Sequence, residues 1–157
     1  DTLGSLELEQ LERNLNVNAL APLHLTRLFA AQWQAGGRAP EMPGCVVNLL
    51  DSRIGGYMKG HVSYALSKRM LFSITRMLAL ELAPRLRVNA VAPGMILAPE
   101  GGGGEELGRL AVRAPLARWG APEDVAGAVV FLLRNDYITG QVIYVDGGAF
   151  MREGLYG

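Results

Sequence analysis

The sequence lacks several features that mark large classes of protein. It has one cysteine, Cys45, so it cannot form an internal disulfide framework. Its 15 Lys and Arg residues balance 15 Asp and Glu residues, and no basic run indicates binding to nucleic acid. The two histidines, His24 and His61, do not combine with Cys45 into the spacing of a metal site. We therefore expect no metal and no nucleic acid partner, and a small molecule as the substrate.

Long apolar runs are also missing, and the given sequence shows no signal peptide, although one could precede Asp1. No stretch approaches the roughly 20 apolar residues that span a bilayer, and the candidate run 125–133 follows two acidic residues. We therefore expect no membrane association and a cytoplasmic location.

A dinucleotide-binding loop is missing as well. Such a loop carries closely spaced glycines after a strand, and its backbone N–H groups hold the pyrophosphate at a helix N-terminus. The one run of four glycines, 101–104, precedes Glu105 and Glu106, whose charges would repel a phosphate. We interpret this run as a loop over a substrate site.

Helical and extended patterns alternate along the chain, which is typical of an α/β fold with a parallel sheet. A first helix is predicted over 6–33, with Ser5 as its N-cap and a bend at Pro22. Further helices are predicted over 61–83, 105–112 and 122–133, and strands over 45–50, 87–91 and 141–145. The strand 45–50 is apolar on both faces, which indicates the interior of a larger parallel sheet, so we expect more strands before Asp1.

The strongest candidate site is Tyr64-Ala65-Leu66-Ser67-Lys68. Residues i and i+4 share one helix face, so the Tyr64 hydroxyl and the Lys68 ammonium can reach the same ligand. A free tyrosine has a pKa near 10, and a nearby ammonium lowers it by stabilising the phenolate. A side chain with a tuned pKa is what general acid–base catalysis requires. This spacing alone also fits an ordinary helix, so the surrounding residues decide its meaning.

Those residues form an ordered set around the tyrosine. Asp51 and Ser52 lie 13 and 12 residues before it, and Asn18 lies further upstream, with Asn16 as a competitor shifted in register. Downstream come Asn89-Ala90-Val91-Ala92-Pro93-Gly94, Tyr137-Ile138-Thr139-Gly140 and Asp146-Gly147-Gly148. Together they resemble the catalytic half of a short-chain dehydrogenase/reductase, and the resemblance extends from about residue 11 to residue 150.

The resemblance implies a fold and an assembly. Residues 1–157 would form the C-terminal, catalytic and substrate-binding part of one doubly wound, Rossmann-type domain. The nucleotide-binding half would precede Asp1, and this portion alone would be inactive. Members of the family usually form tetramers through two long helices, here 11–33 and 61–83, so we expect a homo-oligomer.

The resemblance also implies roles for single residues. Tyr64 would pass a proton to the substrate. Lys68 would lower the pKa of Tyr64 and bind the nicotinamide ribose of NADPH, or less favourably of NADH. Asn18 would anchor a water beside the lysine. Cofactor contacts would come from the loop after the second strand, namely Pro93, Gly94, Met95 and Ile96, although Ala98 stands where the family often has threonine.

Asp51 departs from the family pattern, which usually has a serine at this spacing. Neighbours in an extended segment face opposite ways, so either Asp51 or Ser52 faces the site. We favour Asp51, because the pteridine reductase subgroup carries aspartate there, and Tyr57 could line the same substrate pocket. An ionised carboxylate cannot donate to a ketone oxygen, but it can accept from the N–H groups of an amino-heterocycle. If protonated, it could instead feed a proton to a ring nitrogen.

The sequence therefore predicts an NADPH-dependent reductase of a pteridine substrate. A carbonyl or 3-oxoacyl reductase is the alternative within the family. A cofactor-sensing or scaffold protein that kept the fold without turnover is the alternative of another class.

Overall fold

A computed structural model describes residues 1–36, 43–56, 59–97 and 114–154 of the chain. The helices are α1 (Leu8–Leu15), α2 (Ala21–Ala35), α3 (Val62–Glu81), α4 (Pro122–Arg134) and α5 (Ala149–Gly154), and the strands are β1 (Gly44–Leu49), β2 (Leu86–Pro93) and β3 (Val142–Val145). The predicted helix 105–112, the glycine run 101–104, Tyr57 and Ala98 lie outside the described residues.

The three strands form a parallel sheet in the order β1-β2-β3. The register pairs Gly44 with Leu86 and Leu49 with Val91. The central strand β2 is buried from Leu86 to Ala92, whereas β1 is only partly buried. Within the described ranges β1 pairs on one side only, so the edge facing away from β2 presents unpaired backbone groups. The predicted parallel α/β sheet is confirmed.

Helices cover both faces of this sheet, because alternate side chains of β2 point to opposite sides. Ala90 and Ala92 pack in one core cluster with Leu71 and Ile74 of α3. Residues of the other parity face α4, as the Arg87 side chain shows by donating to the Leu132 carbonyl at 2.9 Å. The arrangement is that of a doubly wound sheet.

The first helical segment runs on through Pro22 without a break. Between α1 and α2, residues Asn16–Leu20 form a π-helical turn, in which the Ala21 N–H donates to the Asn16 carbonyl. Pro22 then occupies the first turn of α2, where a missing N–H is tolerated. The predicted N-cap at Ser5 is wrong. The Ser5 hydroxyl accepts from the Thr2 N–H within a short 3-10 turn, and Glu7 stands at the cap position.

Two buried asparagines tie the layers together. The Asn89 side chain is fully buried, donates to the Ile138 carbonyl at 2.8 Å and accepts from the Gln141 N–H at 3.0 Å. It thereby satisfies backbone groups of the loop that leads into β3. The Asn48 amide instead donates to the Thr75 hydroxyl of α3 at 2.9 Å, so its partner is a side chain.

The Asn89 contacts predict a specific loss of stability. Asn89→Ala should lower the free energy of unfolding of the intact protein by about 2–4 kcal/mol, because it leaves one buried donor and one buried acceptor unsatisfied. Asn135→Ala is the matched control, because Asn135 makes one long contact of 3.4 Å near the surface and should cost well under half as much. Chemical denaturation of both variants measures the difference, and equal costs would contradict the assignment.

Candidate active site

Asp51 leaves the sheet at the carboxyl end of β1. The Leu50 N–H still donates to the Val91 carbonyl of β2 at 2.8 Å, and the chain then turns. Asp51 keeps an extended backbone and caps a short 3-10 turn, Ser52–Gly55. Its carboxylate accepts from the Arg53 N–H at 2.8 Å, which holds the turn in place. Ligands of open parallel sheets bind at this edge.

The helix α3 brings Tyr64 and Lys68 to the same place. It begins after Gly60 and His61, whose positive φ angles of 83° and 54° reverse the chain direction just before the first turn. Tyr64 and Lys68 follow on one face of the helix, and the Lys68 Nζ lies 5.8 Å from the centre of the Tyr64 ring. That Nζ donates to the Leu49 carbonyl at 2.9 Å, so the lysine also spans from α3 to the end of β1.

The Asp51 carboxylate is the centre of the cluster. The Tyr64 hydroxyl donates to its Oδ2 at 3.1 Å. The Arg53 side chain donates from Nε to Oδ1 at 2.9 Å and from its terminal nitrogen to Oδ2 at 2.7 Å. Ser52 is buried, with 4% of its surface exposed, and it does not line the cavity that contains the cluster. Of the two alternatives for the polar position, Asp51 is the one that contacts the tyrosine.

The cluster shifts the ionisation of both partners. Burial alone would raise the pKa of Asp51, but hydrogen bonds and charge from Arg53, with a further contribution from Tyr64, lower it below its ordinary value. The carboxylate is therefore ionised at neutral pH. Burial, followed by the charge and hydrogen bond of Asp51, raises the pKa of Tyr64 to about 12.

The predicted lowering of the tyrosine pKa by Lys68 is wrong for this arrangement. The Tyr64 hydroxyl contacts an anion directly, and the ammonium is directed at a backbone carbonyl. Burial lowers the pKa of Lys68 itself, and the charge of Asp51 opposes that shift. The nearest charge to the phenol thus favours its neutral form.

Asn18 lies in the π-helical turn and reaches α3 through a side-chain contact. Its amide donates to the Ser67 hydroxyl at 3.0 Å, and Ser67 in turn donates to the Tyr64 carbonyl at 2.7 Å. One turn earlier, Asn14 donates to Ser63 at 2.7 Å, so two parallel Asn–Ser pairs fix the register of the two helices. π-helical turns are often found at functional sites. Asn16, the competing residue, is exposed.

The loop predicted to contact the cofactor leaves β2 beside Asp51. Because Leu49 pairs with Val91, the chain after Pro93 and the chain after Leu50 emerge at the same sheet edge. The Gly94 N–H donates to the Val145 carbonyl at 2.9 Å, and a Cβ at Gly94 would lie 2.6 Å from that of Asp146. Glycine is therefore needed there for close packing on the end of β3. Met95 accepts from the Gly120 N–H, and Ile96 packs on the same glycine.

Two cavities meet at Lys68. One, of about 220 Å³, contains the Asp51–Arg53–Tyr64 cluster and is otherwise lined mainly by apolar surface from the start of α3. The other, of about 470 Å³, lies between α2 and the open side of β1 and includes Asn18. Loop residues 93–96 line neither cavity. Lys68 therefore lines both the cavity that contains Asp51 and the cavity between α2 and β1.

The C-terminal helix supports the turn that carries Arg53. A Cβ at Gly55 would lie 1.8 Å from the Phe150 ring, so this turn packs directly on α5. Phe150 stacks on Tyr144 of β3 with ring centres 4.1 Å apart. The Asp146 carboxylate accepts from the Phe150 N–H at 2.6 Å and anchors the start of α5.

Arg53 is the site residue that the sequence reasoning missed. A signal was present, because a basic residue two positions after an acidic one can fold back on it in a tight turn. The pattern Asp-x-Arg is too common to be read without the turn that follows β1.

Other kinds of site are not seen in the part of the chain that the structure describes. No group of three or more His, Cys, Asp or Glu side chains there lies close enough to hold a metal ion. The helices in those ranges also lack the combination of length and apolar character that a bilayer span requires.

Comparison with known families matches nearly the whole chain to one model. The family described as enoyl-(acyl carrier protein) reductase covers residues 2–149. Among curated proteins, carbonyl reductase family member 4 of Danio rerio is 46% identical over 110 residues, covering 67% of this chain and 44% of its own. The 3-oxoacyl-[acyl-carrier-protein] reductase FabG of Thermotoga maritima is 38% identical over 140 residues, covering 85% and 54%.

Solved structures agree on the fold. The FolM alternative dihydrofolate reductase 1 of Brucella canis, complexed with NADP, superposes with a TM-score of 0.86 at 34% identity. The match covers 96% of this chain and 58% of that chain. The chain thus spans about half the length of the relatives it matches.

The contact between Tyr64 and Asp51 predicts an unusual titration. Asp51→Asn should lower the pKa of Tyr64 from about 12, while burial keeps it above the ordinary value of 10. NMR of protein with tyrosine labelled at the ring Cζ measures this, with Tyr64→Phe identifying the signal. Asp124→Asn is the control, because it removes an exposed carboxylate distant in sequence and should leave the signal unchanged. A Tyr64 pKa that does not respond to Asp51→Asn would contradict the cluster.

Proposed function

Because this chain belongs to the short-chain dehydrogenase/reductase family, we propose that the intact protein is an NADPH-dependent reductase of a pteridine-type substrate. The observation that carries the proposal is the ionised carboxylate of Asp51 in direct contact with the Tyr64 hydroxyl. Structural similarity to FolM proteins complexed with NADP supports both the cofactor and the substrate class.

The charge of Asp51 decides which substrates fit. With its pKa lowered, the carboxylate is an acceptor and not a proton source at neutral pH. It would repel the negative charge that develops on a ketone oxygen during reduction. It would bind the N–H groups of a 2-amino-4-oxo heterocycle such as a dihydropterin. The earlier possibility that Asp51 itself feeds a proton to the ring is therefore not part of the proposal.

In the proposed reaction, each residue of the site has a separate role. Asp51 orients the heterocycle, and Tyr64 gives its hydroxyl proton to the ring nitrogen of the C=N bond. When bound, the nicotinamide supplies hydride to the carbon of that bond. Lys68 fits the ribose of such a cofactor, because its ammonium has three donors and only one is used by the Leu49 carbonyl among the described contacts. We propose Asn18 beside Lys68, and Pro93, Gly94, Met95 and Ile96 at the adjacent sheet edge, as further contacts of the cofactor.

A carbonyl or 3-oxoacyl reductase is the second candidate. It is favoured by the curated relatives, which include carbonyl and 3-oxoacyl reductases. Against it stands the buried Ser52, because no hydroxyl other than that of Tyr64 donates into the cluster among the described residues. The cytoplasmic location stays a prediction.

A substrate panel tests the proposed function. With NADPH, the intact protein should reduce a dihydropterin or dihydrofolate with higher kcat/KM than a 3-oxoacyl ester, and Tyr64→Phe should cost at least about a hundredfold in kcat, the scale of general-acid loss. Asp51→Ser should selectively damage pterin reduction, because it replaces an anionic acceptor with a hydroxyl. Asp51→Asn should lose it too. Equal pterin activity in all three Asp51 forms would favour the carbonyl reductase.

A second copy of the chain is the partner we propose, in a tetramer of the intact protein. An exposed stripe runs along α3 at alternating spacings of four and three residues, through Leu66, Met70, Ser73, Met77 and Leu80. Met77 and Leu80 are 67% and 84% exposed. An apolar stripe at this spacing is the surface that packs helix against helix.

The stripe predicts a change of assembly. The double substitution Met77→Asp and Leu80→Asp should convert the tetramer into a smaller species, because it places charge in an apolar helix contact. Light scattering coupled to gel filtration at micromolar concentration measures the mass. Leu133→Asp, on the exposed side of α4, is the control and should leave the mass unchanged. A monomeric parent protein would refute the proposal.

A further inference from the structure

The Asp51 carboxylate has no acceptor position left. Two carboxylate oxygens offer about four lone-pair directions. Oδ1 accepts from the Arg53 backbone N–H at 2.8 Å and from Nε at 2.9 Å. Oδ2 accepts from the Arg53 terminal nitrogen at 2.7 Å and from the Tyr64 hydroxyl at 3.1 Å. A substrate N–H can therefore reach Asp51 only by replacing one of these four donors.

The four donors are unequal. Three come from one residue, sit at 2.7–2.9 Å and form a charge-assisted, two-pronged ion pair with a backbone bond added. The fourth is a single neutral hydroxyl at the longest distance. The Tyr64 hydroxyl is thus the donor that a substrate can exchange at least cost.

The exchange has a chemical consequence. While the Tyr64 proton points at Asp51, it is not directed at a substrate, and the adjacent anion keeps the phenol a weak acid. A substrate N–H that takes over Oδ2 removes that bond and satisfies the carboxylate in its place. The hydroxyl can then turn to the ring nitrogen that must be protonated. A ketone brings no N–H and leaves the Tyr64 proton on Asp51.

We propose that Arg53 is a positioning and specificity-determining residue: it holds three of the four acceptor positions of Asp51, so that a substrate N–H can displace only the Tyr64 hydroxyl and thereby direct its proton to the substrate. This inference rests on the proposed function and adds to it the reason why N–H-bearing heterocycles are preferred over ketones. Arg53 acts through Asp51 and Tyr64 and takes no proton itself.

The charged groups around Asp51 allow this role to be isolated. Arg53 approaches from the turn after β1, and Tyr64 and Lys68 approach from α3. The same cavity also holds His61 and Arg69. Arg69 donates to the Gly56 carbonyl. Of the Arg, Lys and His side chains named here, Arg53 alone makes a described hydrogen bond to Asp51.

The test compares Arg53→Met and Arg53→Lys with the parent protein, using the intact chain, NADPH, a dihydropterin and a 3-oxoacyl ester. Arg53→Met should lower kcat/KM for the dihydropterin by about tenfold or more, the scale of a lost hydrogen bond to a charged group. The ketone reaction should be unchanged or faster. Arg53→Lys should recover part of the loss, because it keeps the charge without the two-pronged geometry.

The pH profile separates positioning from folding. Without Arg53, the pKa of Asp51 should rise, so the acid limb of kcat/KM should move to higher pH in Arg53→Met. A purely structural role would lower the active fraction and leave this limb in place. Arg118→Gln is the matched control, because it removes a guanidinium from another Arg–Asp pair, 3.3 Å long and outside the cavity, and should move neither readout.

Failure of the inference can be told from failure of the proposed function. A parent protein that reduces the ketone and not the dihydropterin refutes the proposed function. Arg53 is then judged by the acid limb and by NMR titration of the Asp51 carboxyl carbon, which need no pterin. A parent protein that reduces the dihydropterin, with Arg53→Met keeping both its kcat/KM and its acid limb, overturns the inference and leaves the proposed function standing.

Discussion

Parallel pairing of β1 with β2 is the constraint on which the rest of the structure depends. It places β2 inside the sheet, where helices bury both of its faces, and it sends the chain after Leu50 and the chain after Pro93 out at one edge. Asp51 and the Gly94 loop are neighbours for that reason alone. The helix α3 packs on β2 and delivers Tyr64 and Lys68 to the same edge. Without this register, Asp51 and Gly94, which lie 13 residues before and 30 residues after Tyr64, would not lie at the same sheet edge.

The second constraint is the cost of burying a carboxylate. Asp51 is mostly buried, and a buried anion is tolerated only with donors around it. Arg53 supplies most of them, and Tyr64 supplies the rest. One consequence is a stable, ionised Asp51. The other is a phenol whose pKa is raised to about 12, so the same contact that stabilises the site also restrains its proton.

Members of this family share a fold but act on different substrates. Relatives with 30–46% identity are named as reductases of erythrulose, xylulose and 3-oxoacyl substrates. The fold by itself therefore does not identify the substrate. The function proposed above places that choice in the side chains beyond the end of β1, where Asp51 presents a carboxylate to the Tyr64 hydroxyl.

The sequence by itself determined the alternation of helices and strands, the parallel sheet and the candidate residues, because these follow from local periodicity and from motifs of fixed spacing. It did not determine that the helical segment continues through Pro22, because the π-helical turn Asn16–Leu20 depends on the geometry of the helical turns on either side of it. It left Asp51 and Ser52 open, since a one-residue shift changes every side chain's direction. The role of Arg53 was decided by the turn that follows β1, and the raised pKa of Tyr64 was decided by the packing of α3 against that turn. Each of these features depends on a short contact to the Asp51 carboxylate, from Arg53 in the turn and from Tyr64 in α3, at no more than 3.1 Å. The periodicity of the sequence does not predict such distances.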